Sequence, residues 1–197
     1  MEKLHVGLGK NSYDIMIGEN FFKEFPKYIG EVYSGKKLFV ITDSNVHEIY
    51  EEKYKEMFKG FNYSIFVLQA GEKHKHIGIM PSIYSAMVNE GLTRKDMVVA
   101  FGGGVVGDIA GFAAASYMRG IGFIQIPTTI VSQVDSSVGG KVGVDLPEGK
   151  NLVGAFHQPK LVLIDNYFLN TLTDRYFYDG FGEIVKYGCI YDKKFFD

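Results

Sequence analysis

One stretch decides the fold of this chain: Val98-Val99-Ala100-Phe101-Gly102-Gly103-Gly104-Val105-Val106-Gly107-Asp108. Its apolar start is typical of a buried strand in a parallel sheet. The glycines at 102, 104 and 107 have the spacing Gly-x-Gly-x-x-Gly, which allows a sharp turn and lets a pyrophosphate approach without meeting a Cβ. A helix predicted behind this turn, over residues 109–119, offers free N–H groups to that anion. The stretch therefore predicts a dinucleotide bound on the glycine turn of residues 102–108.

Outward from the glycine turn, predicted strands and helices alternate. The predicted strands cover residues 37–41, 63–68, 98–101, 122–126 and 161–164, and the predicted helices cover 46–58, 77–90, 109–119 and 176–197. Residues 1–17 are predicted to form one or two short strands with a turn at 9–11. This alternation predicts the α/β class, with a Rossmann-like parallel sheet and crossover helices.

Local signals add detail to this sheet. Ser44 or Asn45 is predicted to cap the helix over 46–58. Residues 131–159 contain several glycines and little periodicity, which predicts a long functional loop. Because ligands collect at the carboxyl ends of parallel strands, we expect Asp43, the glycine turn and Thr128-Thr129 to meet at one edge.

The composition argues against several classes of partner. The 197 residues carry a net charge of -2 with no basic stripe, so no nucleic-acid partner is expected. The N-terminus lacks the apolar region of a signal peptide, and glycines and Asp108 interrupt the apolar stretch 97–118, so no membrane partner is expected. The single cysteine, Cys189, fits a reducing compartment, which predicts a cytoplasmic protein.

The glycine turn departs from the usual Rossmann fingerprint. It lies in the middle of the chain, and residues 121–128 contain no acid where the fingerprint has one about twenty positions later. Two interpretations stay open on the turn alone: a phosphate site, or tight helix–strand packing without a ligand.

Longer strings around the turn resemble the 3-dehydroquinate synthases. The turn resembles the phosphate turn of that family and, more loosely, that of glycerol and iron-containing alcohol dehydrogenases. More specific strings are Phe112-Ala113-Ala114-Ala115-Ser116-Tyr117-Met118-Arg119-Gly120, Ile126-Pro127-Thr128-Thr129, Ser132-Gln133-Val134-Asp135-Ser136-Ser137-Val138-Gly139-Gly140-Lys141, Gly149-Lys150-Asn151-Leu152-Val153-Gly154-Ala155-Phe156 and Glu183-Ile184-Val185-Lys186-Tyr187-Gly188. The resemblance runs from about Lys36 to the last residue. It implies an NAD-binding α/β domain over 1–174, and over 175–197 the first helix of an otherwise absent helical domain.

The resemblance implies a lyase of the shikimate pathway, which leads to aromatic amino acids. The family's substrate is a sugar acid phosphate, 3-deoxy-D-arabino-heptulosonate 7-phosphate, which is cyclised to 3-dehydroquinate with release of phosphate. NAD is implied as a recycled cofactor, and zinc or cobalt as a divalent metal. A homodimer is implied because Arg119 matches an arginine that reaches the neighbouring subunit's site.

The resemblance also implies site residues. The substrate and phosphate contacts match Arg119, Asp135, Lys141, Asn151 and Lys186. The cofactor contacts match Asp43, Asn45, Glu72, Lys75, Gly103, Gly104, Val105, Val106, Gly107, Asp108, Thr128, Thr129, Lys141, Lys150, Phe168, Thr171 and Leu172. The metal-binding carboxylate matches Glu183.

The metal site is incomplete in this sequence. A catalytic zinc usually has three protein ligands, and the family's other two are histidines in a helical second half. None of the five histidines lies on the matching strings, and His157 is a weak substitute. Glu183 and Lys186 lie three residues apart on a predicted helix, so a simple ion pair is the alternative for Glu183. We therefore expect this chain not to catalyse the reaction by itself.

Two alternatives of different kinds remain. One is a relative with the same glycine turn, either another sugar-phosphate cyclase or a glycerol-type dehydrogenase. The other is an NAD-binding module without catalysis, against which the substrate-side cations Arg119, Lys141 and Lys186 argue.

Overall fold

The computed structural model describes residues 1–35 and 37–197. The strands are β1 Glu2–Val6, β2 Tyr13–Gly18, β3 Lys37–Asp43, β4 Asn62–Leu68, β5 Met97–Gly102, β6 Gly122–Pro127, β7 Lys141–Leu146, β8 Gly149–Phe156 and β9 Leu161–Asp165. The α-helices are α1 Phe25–Val32, α2 Ser44–Tyr50, α3 Tyr54–Met57, α4 Met80–Asn89, α5 Gly104–Ser116, α6 Asp174–Ile190 and α7 Lys193–Phe196. The five predicted core strands and the N-terminal strands are confirmed.

A seven-stranded sheet of order β1-β2-β9-β6-β5-β3-β4 forms the centre of the fold. Its pairs are parallel except β1–β2. β3 and β5 are neighbours, yet β4 lies on one side of them and β6 and β9 on the other. The strand order therefore reverses between β3 and β5, and such a switch point opens a crevice at the carboxyl ends of the strands. Asp43 and Gly102 end these two strands, so the predicted common edge is confirmed.

Apolar layers cover both faces of the sheet. One layer is rich in aromatic residues and includes Phe25, Tyr54, Phe101 and Phe168. The other is mostly aliphatic and is formed largely by α4 and α5 against the sheet. Because both faces are covered, β5 is buried along its whole length. The predicted α/β class is confirmed.

Helix α5 begins at Gly104, so the predicted start at residue 109 is wrong. Glycine has a low helix propensity, which hid the first turn of the helix from the sequence pattern. The small residues of α5 permit close packing, since a Cβ on Gly111 would collide with Val142 of β7.

The region predicted as one helix over 46–58 is α2, a 3-10 turn at Glu51–Lys53 and α3. Its cap is Asp43, so the prediction of Ser44 or Asn45 is wrong. The Asp43 carboxylate accepts hydrogen bonds from the N–H groups of Asn45 at 2.9 Å and Val46 at 3.1 Å. The Ser44 hydroxyl instead accepts from the N–H of Ala70 at 3.3 Å, which joins α2 to the loop after β4.

Residues 131–159 are not an irregular loop, so that prediction is wrong. They form a π-helical turn at Ser132–Ser136 and an antiparallel hairpin of β7 and β8. Gly143 and Gly154 face each other in the hairpin, and a Cβ on Gly154 would collide with the Val142 carbonyl. Glycine is depleted in strands, so these close contacts removed the strand signal from the sequence.

The predicted C-terminal helix is observed as α6 and α7. Aromatic side chains on this segment are exposed, namely Tyr176, Phe177, Tyr178, Phe181, Tyr187, Tyr191, Phe195 and Phe196. Within residues 1–35 and 37–197, no helix combines the length and apolar character needed to cross a bilayer. The domain boundary at 174 stays a prediction.

Candidate functional site

The glycine turn joins β5 directly to α5 at the switch point. Gly103 is the N-cap residue, and none of the described side chains caps this helix. The Gly107 N–H donates to the Gly103 carbonyl at 3.0 Å, which closes the first helical turn. The N–H groups before Gly107 at the start of the helix thus lack an intrahelical partner, which suits them to bind an anion.

The two interpretations of the glycines apply to different positions. A Cβ on Gly102 would collide with Val106, and a Cβ on Gly107 would lie 2.8 Å from Gln125 Oε1, so these two serve packing. Gly103 and Gly104 instead line a cleft. A Cβ on Gly103 would lie 3.1 Å from Thr129 Cγ2, which also lines that cleft, and a Cβ on Gly104 would lie 3.1 Å from Ser136 Oγ.

That cleft, here called the cofactor cleft, has a volume of about 710 Å³. It brings together ten of the predicted cofactor residues: Asp43, Asn45, Glu72, Gly103, Gly104, Val105, Thr128, Thr129, Thr171 and Leu172. The other predicted residues, Lys75, Val106, Gly107, Asp108, Lys141, Lys150 and Phe168, lie outside its lining. Phe168 is fully buried in the aromatic layer, so its side chain supports the wall next to Thr171.

Sequence reasoning missed several residues of the cofactor cleft. The cleft is also lined by Val46, Ile49 and Tyr50 of α2 and by Tyr176 of α6. The Tyr50 hydroxyl lies 2.7 Å from the Thr171 hydroxyl, and burial raises the pKa of Tyr50 above its usual value of 10.0. Tyr50 therefore stays neutral and fixes the wall. The signal for these residues was the apolar face of α2 directly after Asp43.

A second cleft of about 550 Å³, here called the hairpin cleft, lies between α5 and the β7–β8 hairpin. It brings together four of the predicted site residues, Asp108, Asp135, Lys141 and Asn151. Asp135 belongs to the π-helical turn, a form of helix that is frequent at functional sites. Lys141 is suited to pair with a phosphate in this cleft, whereas the carboxylates and the Asn151 amide are suited to bind hydroxyl groups.

Lys75 lies beside the hairpin cleft and is only 5% exposed. Its Nζ is 2.5 Å from Asp108 Oδ2 and donates to Asn151 Oδ1 at 2.7 Å. Burial raises the pKa of Asp108 above its usual value of 3.8, and the hydrogen bond from Lys75 opposes that rise. Near the surface, Lys150 pairs with Glu72 at 3.2 Å and also joins the hairpin to the 71–76 loop.

The predicted residues of α6 form a separate group. Lys186 pairs with Glu183, and this hydrogen bond raises the pKa of Lys186 above 10.5. The Tyr187 hydroxyl donates to Asp135 Oδ1 at 3.1 Å, which links α6 to the hairpin cleft. In the described part of the chain, no three His, Cys, Asp or Glu side chains are placed to hold a metal ion.

Arg119 and His157 lie away from both clefts. Arg119 is exposed and has a left-handed backbone with φ of 70°, next to Met118 with φ of 50°. His157 stacks on Phe123 at 5.3 Å, and its Nε2 lies 2.8 Å from the Ile121 carbonyl. These contacts give His157 a structural role.

Solved structures of similar fold include two synthases. One is 2-deoxy-scyllo-inosose synthase complexed with carbaglucose-6-phosphate, NAD+ and Co2+, with 29% identity and a TM-score of 0.86 over 94% of this chain and 50% of that chain. The other is 2-epi-5-epi-valiolone synthase from Streptomyces hygroscopicus with NAD+ and Zn2+ bound, with 30% identity and a TM-score of 0.85 over 96% of this chain and 52% of that chain. The fold and the glycine turn thus define an α/β domain of the class found in these synthases.

Within that class, the chain belongs to the family described as 3-dehydroquinate synthase N-terminal, whose model matches residues 65–179. The 3-dehydroquinate synthase of Clostridium acetobutylicum is 52% identical over 198 residues, covering 100% of this chain and 56% of the relative. That of Alkaliphilus metalliredigens is 48% identical, covering 100% of this chain and 54% of the relative. The chain spans about half the length of these curated relatives.

Proposed function

We propose that this chain forms the NAD-binding half of a 3-dehydroquinate synthase. The proposed enzyme cyclises 3-deoxy-D-arabino-heptulosonate 7-phosphate to 3-dehydroquinate with release of phosphate, as a carbon–oxygen lyase. One observation carries the proposal: a glycine turn suited to bind phosphate adjoins a cleft that contains Lys141 and Asn151. The identity to curated 3-dehydroquinate synthases, near 50% over the whole chain, supports this choice of substrate.

NAD fits the cofactor cleft. The N-terminus of α5 lacks a side-chain cap among the described residues, and a Cβ would fill the cradle at Gly103 and Gly104. The turn binds the pyrophosphate, since helix N-termini favour anions. One Asp43 oxygen caps α2, and no residue within 1–35 and 37–197 donates to the other, which is proposed to accept from a ribose hydroxyl. When bound, NAD supplies reversible hydride transfer.

The hairpin cleft binds the substrate in this proposal. Lys141 neutralises the phosphate and so assists its departure, because a leaving anion needs cations around it. Asn151 donates a hydrogen bond, and Asp135, held by Tyr187, accepts one from a substrate hydroxyl. Lys186 holds the substrate carboxylate. Such positioning lowers the entropic cost of the reaction.

Glu183 is proposed as one ligand of a divalent metal. It does not hold the ion alone, because the described residues contain no group of three suitable side chains and catalytic zinc sites usually have three protein ligands. We therefore expect no turnover from these 197 residues alone. A homodimer in the cytoplasm completes the proposal, with the exposed Arg119 directed to a partner's site.

The first test is a calorimetric titration of the folded chain with NAD. Saturable binding of one NAD per chain is expected, and no binding would refute the proposal. The second test measures phosphate release in the full-length protein that contains this chain. Release from the heptulosonate phosphate but not from glucose 6-phosphate is expected, and the reverse preference would support a related sugar-phosphate cyclase instead.

A dehydrogenase function has less support. Glycerol dehydrogenase from Schizosaccharomyces pombe is 20% identical with a TM-score of 0.67, over 87% of this chain and 42% of that chain. At that identity the likeness concerns the fold alone. A module that only binds NAD would not need the polar hairpin cleft.

A further inference from the structure

Lys75 is buried where three segments meet. Its main-chain carbonyl accepts from the Asp145 N–H at 2.9 Å, so the 71–76 loop is joined to β7. Its ammonium reaches Asp108 of α5 and Asn151 of β8. The side chain is 5% exposed, and Asp108 and Asn151 hold two of the three N–H donors of its ammonium.

The contact with Asn151 fixes the orientation of its amide. An ammonium group only donates hydrogen bonds, so the amide atom beside it must be the oxygen. The Asn151 Nδ2 group therefore lies on the other side of the amide, and no group in the described part of the chain accepts from it. Because Asn151 lines the hairpin cleft, this Nδ2 group is an available donor there.

The backbone of Asn151 is held independently. Its φ is 55°, a left-handed value that costs energy outside glycine. Its N–H donates to Asp145 Oδ1 at 2.7 Å, which anchors the main chain from β7. Asp145 thus fixes where the residue lies, whereas Lys75 fixes which way its amide faces.

We propose that Lys75 is a positioning residue that orients the Asn151 amide as a hydrogen-bond donor toward an oxygen of the ligand in the hairpin cleft. The ligand is a phosphorylated or hydroxylated sugar acid, and this part rests on the proposed function. Lys75 also links the hairpin cleft to the glycine turn, because Asp108 beside it is the last residue of that turn.

The test of orientation is nuclear magnetic resonance of the ¹⁵N-labelled chain. Asn151→Asp identifies the Asn151 side-chain amide signals by their loss. Lys75→Met is expected to shift those signals, and Lys75→Arg to keep them closer to their original positions. Lys73→Met removes an exposed lysine from the same loop and is expected to leave them in place. Unchanged signals in Lys75→Met would overturn the proposal.

If Lys75→Met does not fold, Asn151→Asp tests the proposal instead. Its carboxylate still accepts from Lys75 but does not donate into the cleft. We expect an unfolding temperature near that of the unsubstituted chain. In the full-length protein, KM for the heptulosonate phosphate is expected to rise about tenfold, the loss of one good hydrogen bond. An unchanged KM would show that no donor is needed at this position.

A double-mutant comparison separates positioning from direct contact. If Lys75 acts through Asn151, Lys75→Met raises KM in the unsubstituted protein but adds little to Asn151→Asp. Fully additive effects would overturn the proposal. NAD calorimetry on the unsubstituted chain tests the proposed function separately. If Lys75→Met shifts the Asn151 signals but the unsubstituted chain does not bind NAD, the proposed function is refuted and the positioning role of Lys75 is kept.

Discussion

Lys75 Nζ lies 2.5 Å from Asp108 Oδ2, and both groups are largely withdrawn from water beside the hairpin cleft. Burial raises the pKa of Asp108 above 3.8 in spite of this partner. The folded chain therefore binds the Asp108 proton more tightly than the unfolded chain. Protonation of Asp108 therefore stabilises the folded state. The contribution of this group to the free energy of unfolding rises as the pH falls from above the folded pKa to 3.8.

Asp108→Asn removes this titration. We expect the free energy of unfolding of the unsubstituted chain, relative to the variant, to rise as the pH is lowered from 7 toward about 4. Urea unfolding at a series of pH values measures the difference. Asp14→Asn is the control with the opposite sign, because hydrogen bonds from Lys3 and His5 lower the pKa of Asp14. Parallel trends in the two variants would contradict the assignment.

Gly104→Val tests the phosphate cradle. Residue 104 is the first residue of α5, and a Cβ there would lie 3.1 Å from the Ser136 hydroxyl oxygen. We expect the Kd for NAD to rise by about tenfold or more, equivalent to about 1.4 kcal/mol. Gly30→Ala, in open space on α1, is the control and is expected to leave Kd unchanged. Equal NAD affinity in Gly104→Val would mean that the turn serves packing alone.

Asp165→Ala tests the support of the cofactor wall. The buried Asp165 carboxylate accepts from the N–H groups of Asn20, Phe21, Phe22 and Tyr167. Removal leaves these donors unpaired, so we expect a loss of about 3 kcal/mol or more in urea unfolding. Asp192→Ala removes a carboxylate that caps the short exposed α7 and is expected to cost about 1 kcal/mol. Similar losses would contradict the buried role of Asp165.

Gly111→Ala tests how closely α5 packs on the hairpin. The added methyl group collides with Val142, so we expect a destabilisation of about 1–3 kcal/mol. The same change in a Val142→Ala background is expected to cost less, because the smaller partner makes room. Gly182→Ala, in open space on α6, serves as the control. An equal destabilisation in both backgrounds would show that the strain does not come from the contact with Val142.

Much of the sheet was predictable because its strands are continuous apolar runs. The runs at 98–101 and 161–164 have no polar interruption, and a strand buried on both faces produces this pattern. The hairpin was not predictable. Gly143 and Gly154 lie on opposite strands of the hairpin, are not adjacent in the sequence, and are required by close contacts between β7 and β8.

The candidate site also contains some residues that were predictable from the sequence and others that were not. The glycine turn was found by its spacing, since backbone freedom at a helix start is a local property. The cap at Asp43 was missed by one residue, because the choice among Asp43, Ser44 and Asn45 depends on where β3 ends. The wall residue Tyr50 was missed because its partner, Thr171, is distant in the chain.

By itself, the sequence determined the order of strands and helices, the position of the glycine turn and the family, because these depend on short-range patterns of residue type. Only the tertiary structure decided that Lys75 is buried between Asp108 and Asn151. Those three residues lie on a loop, a helix and a hairpin that folding brings together. A buried cation takes its role from the groups that replace its water, and residues so distant in sequence become such groups only when the sheet and the hairpin have packed.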